Sequence, residues 1–162
     1  MAHKISSTKI IAVCGSSDVD RSGSERAREV GRLLARKGCS LICGGLGGVM
    51  EASCRGAKEE GGMTIGILPG NRREDANPYV DVPIVTGMGH ARNLIIVQSA
   101  HAVIALPGGP GTLSEIALAL KAGTPVVALD AWDEINGIHH SSSPHEAVET
   151  VIKLADKNRG LR

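Results

Sequence analysis

Aromatic side chains are almost missing from this sequence, which has no Phe, one Trp (Trp132) and one Tyr (Tyr79). The core must be aliphatic, and the aromatic platform on which single-stranded nucleic acid stacks is excluded. A net charge is missing too. With 18 Lys and Arg against 17 Asp and Glu and no basic run, nucleic acid is not an expected partner. No apolar stretch approaches the roughly 20 residues that a membrane span needs. The opening Met1–Thr8 is short and polar, so neither export nor a membrane partner is expected, and the expected location is cytoplasmic. Cys14, Cys39, Cys43 and Cys54 show no C-x-x-C pairing, and buried, reduced thiols are their best reading. His139, His140 and His145, near Asp130 and Asp133, have the spacing of no recognised ligand set. That stretch reads as a solvated loop, and no metal is expected.

What is abundant is glycine, 21 residues in a chain of 162. That length suits one domain with a sizeable core and no staples. The expected division is a flexible segment at 1–8 followed by a single phosphate- or nucleotide-binding domain at 9–158. Lys9–Cys14, Ser40–Cys43, Thr64–Leu68, Val82–Thr86, Ala102–Leu106 and Pro125–Leu129 are short apolar runs. They alternate with helical patterns, the first introduced by Ser22 and Glu25 as a capping box and the last by Ser143-Pro144-His145-Glu146. Strand after helix throughout implies a parallel sheet covered on both faces, a doubly wound α/β/α arrangement in three layers. Asp130–Ser142 is expected to be irregular. The polar stretch Pro69–Pro78 is long enough for a lid. The helix around Leu94–Ala100 is apolar on most sides, which places it inside the domain or in a dimer contact.

Three of the strands end in glycine corners: Gly15-Ser16-Ser17, Gly44-Gly45-Leu46-Gly47-Gly48, and Pro107-Gly108-Gly109-Pro110-Gly111-Thr112. Such corners uncover backbone N–H groups, and a helix that follows aims the positive end of its dipole at the same point. In a parallel sheet all three open on one edge, where ligands bind at the reversal of strand order. Neither G-K-[ST] nor an opening G-x-G-x-x-G is present, so a triphosphate loop and a dinucleotide fingerprint are both unsupported. A monophosphate or another small phosphorylated ligand remains. Glu115, one helical turn beyond the third corner, sets a carboxylate beside that pocket.

At these residues the chain resembles the Rossmann-like family that includes the Lonely Guy cytokinin-activating phosphoribohydrolases and the molybdenum cofactor carrier proteins. The resemblance runs from about Lys9 to Lys153. Pro107-Gly108-Gly109-Pro110-Gly111-Thr112-Leu113-Ser114-Glu115 matches P-G-G-x-G-T-x-x-E at every fixed position, and Gly44-Gly45-Leu46-Gly47-Gly48-Val49-Met50 resembles G-G-x-x-G-x-M. Where the hydrolases read M-H-E-R-K, Gly89-His90-Ala91-Arg92-Asn93 keeps His and Arg but differs at the other three positions. Gly87–Asn93 is similar instead to the G-M-G-x-A-R-N of the carrier-like branch.

The resemblance implies a site made of Arg92 and Glu115 as catalytic residues. Its phosphate or ligand contacts would come from Gly15, Ser16, Ser17, Gly44, Gly45, Gly48, Met50, Gly108, Gly109, Gly111 and Thr112. Two functions fit such a site. One is hydrolysis of the N-glycosidic bond of a nucleoside 5′-monophosphate, with the Ser16 and Thr112 hydroxyls on the phosphate and no cofactor required. The other is a carrier or sensor that holds an AMP-like nucleotide, phosphate or the molybdenum cofactor uncleaved. An Arg92–Glu115 pair that only ties two helices together is the plainer alternative. His90 either contacts ligand or caps the next helix, Glu51 faces the base or sugar or serves its helix dipole, and Arg72 and Arg73 close over a phosphate or stay solvated. A homodimer is expected, as is the habit of the family.

Overall fold

The computed structural model describes residues 8–158. Of the N-terminal segment 1–8, all but Thr8 lies outside the described residues. The apolar runs form β1 (Ile10–Cys14), β2 (Ser40–Cys43), β3 (Thr64–Leu68), β4 (Val82–Val85), β5 (Ala102–Ala105) and β6 (Val126–Leu129), joined by a short β7 (His139–Ser141). All pair in parallel in the order β4-β3-β2-β1-β5-β6-β7. Successive residues of a strand face opposite sides of the sheet. In β1, Ile11 and Val13 therefore enter one core, while Ala12 and Cys14 enter the other.

The first core is closed by α1 (Arg21–Arg36), α2 (Val49–Glu59) and α5 (Pro144–Asn158), through residues such as Val30, Leu34, Cys54 and Val151. The second is closed by α3 (Asn93–Ser99) and α4 (Pro110–Ala122), through Ile96, Val97, Ile116 and Ala119. Helices on both faces make this the doubly wound, three-layer α/β sheet that the strand–helix alternation implied. The four cysteines are buried, and none is disulfide-bonded. No helix among the described residues is long and apolar enough to cross a membrane.

Two details differ from the sequence expectation. The stretch expected to be irregular contains β7, whose residues are all polar and give no apolar pattern; it is ordered by pairing with β6, Leu129 opposite Ser141. The first helix starts at Arg21, ahead of the proposed capping box. Asp20, extended at φ −72° and ψ 177°, is the cap, and its carboxylate accepts from the Gly23 N–H. The stretch Pro69–Pro78 is pinned at both ends. The Asn77 N–H donates to the Gly45 carbonyl at 2.8 Å and its side-chain amide to the Leu46 carbonyl at 2.9 Å, while the Gly89 N–H reaches Pro69 O at 2.9 Å.

Candidate active site

The order of the strands reverses between β1 and β5. The helix after β1 covers one face and the helix after β5 the other, so their carboxyl ends part to leave a crevice. Backbone hydrogen bonds weld the three glycine corners into its wall. The Ser16 N–H donates to the Pro107 carbonyl at 3.0 Å, and the Val49 N–H donates to the Ser16 carbonyl at 2.9 Å. This contact requires glycine at 48, where φ is 66° and a Cβ would stand 2.3 Å from the Ser16 carbonyl oxygen.

A cleft of about 340 Å³ opens on the α3 and α4 side of this wall. Of the ligand residues proposed from sequence, Gly15, Ser16, Ser17, Met50, Gly109, Gly111 and Thr112 line it, together with Arg92 and Glu115. Gly44, Gly45, Gly48 and Gly108 are not among its lining residues; Gly44 and Gly45 pack against Arg92 and Leu68, while Gly48 and Gly108 line two neighbouring clefts, beside Ser17 and Ser16 respectively. A Cβ on Gly44 would lie 2.3 Å from Arg92 Nη1, so the missing side chain is the space that the guanidinium occupies. A Cβ on Gly108 would lie 2.2 Å from Thr112 Oγ1. The Ser16 hydroxyl is engaged locally, donating to the Asp18 carbonyl at 2.6 Å and accepting from the Asp18 N–H at 3.0 Å. The N–H groups of Gly111 and Thr112, in the first turn of α4, have no intrahelical acceptor. They are the donors this corner offers to an anion.

Arg92 and Glu115 are 7% and 8% exposed. Nη1 and Oε1 stand 4.0 Å apart, a distance for charge attraction and too long for a hydrogen bond. Arg92 Nε is buried with no acceptor. Burial raises the Glu115 carboxyl to about 7, against the opposing pull of Arg92 and of a hydrogen bond from Cys14. Burial also lowers the Arg92 guanidinium, opposed by Glu115 and Cys43. Cys14, at the end of β1, is held well above the ordinary thiol range by burial and then by Glu115. The site thus holds a carboxylate poised near neutrality and a cation short of acceptors, beside backbone N–H groups that have no intrahelical acceptor.

Other candidates fall elsewhere. Glu51 lines a separate cleft with Arg28 and Arg55. Arg72 and Arg73 are exposed outside the Arg92–Glu115 cleft. His90 lines that cleft, whereas His101 accepts the Ile10 N–H at 3.0 Å and is structural. Among the described residues, no three His, Cys, Asp or Glu side chains converge as a metal ion would require. Leu46 and Asn93 line the cleft without having been singled out as ligand contacts. Leu46 carries no chemical signal. The Asn93 amide is in place because it donates to Ser114 Oγ across α3 and α4 at 2.8 Å, a contact visible only once those helices pack.

The model of the SLOG cluster4 family matches residues 8–158. The chain belongs to the SLOG cluster4 family. An uncharacterised protein of Archaeoglobus fulgidus is 47% identical over 147 residues, 91% of this chain and 97% of its own length. A cytokinin riboside 5′-monophosphate phosphoribohydrolase of Mycobacterium tuberculosis is 34% identical over 139 residues, 80% of this chain and 74% of the hydrolase. The solved structure of the molybdenum cofactor binding protein of the phototrophic bacterium Rippkaea orientalis superposes with a TM-score of 0.87 at 38% identity, covering 92% of this chain and 98% of that one. The SLOG cluster4 assignment therefore bears out the kinship drawn from P-G-G-x-G-T-x-x-E, with hydrolases and a cofactor-binding protein both among the chain's relatives.

Proposed function

We propose that this SLOG cluster4 protein hydrolyses the N-glycosidic bond of a nucleoside 5′-monophosphate, giving free base and ribose 5-phosphate. The observation that carries the reading is the buried Arg92–Glu115 pair, 4.0 Å apart and not hydrogen-bonded. A pair that only braced two helices would close to hydrogen-bond distance, because burying charges without that bond is costly. The phosphate takes the first-turn N–H groups of α4 and the Thr112 hydroxyl, and Arg92 supplies the neighbouring positive charge. Ionised Glu115 faces the cation that develops at C1′ and accepts a proton from water. The C1′–N bond breaks with its electron pair going to the base. The water oxygen bonds to C1′, and its proton passes through Glu115 to the departing base. No cofactor is needed for this step.

The test is incubation of the purified protein with a panel of nucleoside 5′-monophosphates, following base and ribose 5-phosphate by chromatography. Wild type is expected to release both, and Glu115→Gln to fall by about a thousandfold or more. The likeness to the Rippkaea protein favours a second reading, a carrier that holds the molybdenum cofactor or another phosphorylated ligand in the same cleft. Binding of such a ligand with no base release from any nucleotide would decide for the carrier.

A homodimer belongs to the same proposal. Ile84 and Val85 of the edge strand β4, Met88, Leu94 of α3 and Leu113 of α4 are exposed apolar side chains, an arrangement that lone chains avoid. Light scattering on a sizing column is expected to give twice the chain mass, and Leu94→Asp with Leu113→Asp to give the single mass. A monomeric wild type at micromolar concentration would rule the dimer out.

A further inference from the structure

Asn93 has no part in the reaction just described, yet it is only 3% exposed and stands in the cleft wall beside Arg92. Its amide nitrogen donates to Ser114 Oγ at 2.8 Å, and the Ser114 hydroxyl donates to the Gly111 carbonyl at 2.7 Å. A hydroxyl has one hydrogen. Since that of Ser114 is committed to Gly111, Ser114 can only accept from Asn93, and this decides which end of the amide faces α4. The other end, Oδ1, meets no donor among the described residues. Nor is Oδ1 among the polar atoms sealed off from solvent, so in this otherwise buried residue it is an open acceptor that a donor entering the cleft can reach.

The first turn of α4, Arg92 and Glu115 are already suited to other parts of a ligand. On the hydrolase reading, on which this inference rests, phosphate occupies the first turn of α4 and Glu115 stands at C1′. The donors left on the sugar are its hydroxyls, and the one next to C1′ is the 2′-hydroxyl. We propose that Asn93 reads the sugar: its Oδ1 accepts a hydrogen bond from the 2′-hydroxyl, so that the site takes ribonucleotides in preference to 2′-deoxyribonucleotides. Arg92 and Asn93 are consecutive, so one short segment sets both the charge beside Glu115 and the acceptor beside C1′. Ser114 is a positioning residue that keeps the amide from turning over.

The experiment is calorimetric titration of AMP, GMP and their 2′-deoxy forms into Glu115→Gln protein, alone and combined with Asn93→Ala or with Ser114→Ala. The Glu115→Gln chain is expected to bind the ribonucleotide about tenfold more tightly than its 2′-deoxy form. Adding Asn93→Ala is expected to bring that ratio close to one by weakening only the ribonucleotide. Ser114→Ala, which keeps the acceptor but frees the amide to turn, is expected to give a ratio between the two. A residue that merely braced α3 against α4 would weaken both nucleotides together and leave the ratio alone. A ratio unmoved by Asn93→Ala, or near one at the outset, overturns the inference while nucleotide binding stands. Binding of neither form overturns both. Should Asn93→Ala not fold, an unchanged ratio in Ser114→Ala is sufficient to overturn it.

Discussion

Glu115→Gln is expected to lose the proposed hydrolysis and, above pH 7, to be more stable than the wild type. The carboxyl titrates near 7 in the folded chain against an ordinary 4.5, with burial as the main cause. Between those values the folded chain holds a proton that the unfolded chain has released. Stability therefore falls as pH rises from about 4.5 to 7 and is level beyond, and the loss is about 3 kcal/mol. Glutamine does not titrate, so the variant escapes that loss. Arg92 and the Cys14 hydrogen bond both favour the ionised form and keep the loss from being larger. Urea midpoints at pH 5 and pH 9 test this. The variant should match the wild type at pH 5 and exceed it at pH 9, and equal midpoints at pH 9 would show that no buried carboxylate is being ionised. The same titration governs the proposed reaction, since ionised Glu115 is the working form. Wild-type kcat/KM should rise through a midpoint near pH 7. Arg92→Met should move that midpoint upward, because it removes the charge that favours ionisation.

Gly56→Ala is expected to cost about 3 kcal/mol or more, a large share of the stability of a domain this size. Alanine in an open helix interior would do the reverse and stabilise by up to about 1 kcal/mol. What reverses the sign is the crossing of α1 and α2. A Cβ on Gly56 would stand 1.9 Å from the Arg28 carbonyl oxygen, and one on Gly31 would stand 1.9 Å from that of Ser53. Both obstacles are backbone within helices and have no rotamer to change. The helices must separate, which opens the core around Ala27, Val30, Leu34, Ala52 and Cys54. Ion pairs across the same crossing, Arg28 with Glu59 at 2.8 Å and Arg36 with Glu60 at 2.7 Å, are partly exposed and offset little of it. Urea denaturation followed by circular dichroism gives the sign directly. A stabilised Gly56→Ala would mean that α1 and α2 do not meet backbone to backbone.

Some of this protein was legible in the chain itself because its determinants are local. Apolar runs of strand length, alternating with helical periodicity, require a parallel sheet clad on both sides, and that sheet is the one found. Glycine corners after β1, β2 and β5 had to open on its carboxyl edge, since parallel strands share one direction. Glu115 is likewise a local consequence, one turn inside the helix that the third corner begins. Other features left no mark. β7 is His139-His140-Ser141, a strand only because β6 lies beside it. The capping signal at Ser22 and Glu25 was overridden by Asp20, a residue whose backbone happens to be extended where the helix starts.

The tertiary structure alone decided which glycines line the cleft and which make room for the protein. Gly44 and Gly111 look alike in the sequence, yet one makes space for the Arg92 guanidinium and the other opens on the cleft. It also decided that Arg92 and Glu115 meet while buried and unbonded, and that Ser114 fixes the orientation of the Asn93 amide. The physical reason is the same in each case. Strand, helix and turn follow from short-range propensity and period, whereas burial, charge proximity and hydrogen-bond direction depend on residues brought together from β1, α3 and α4, far apart along the chain.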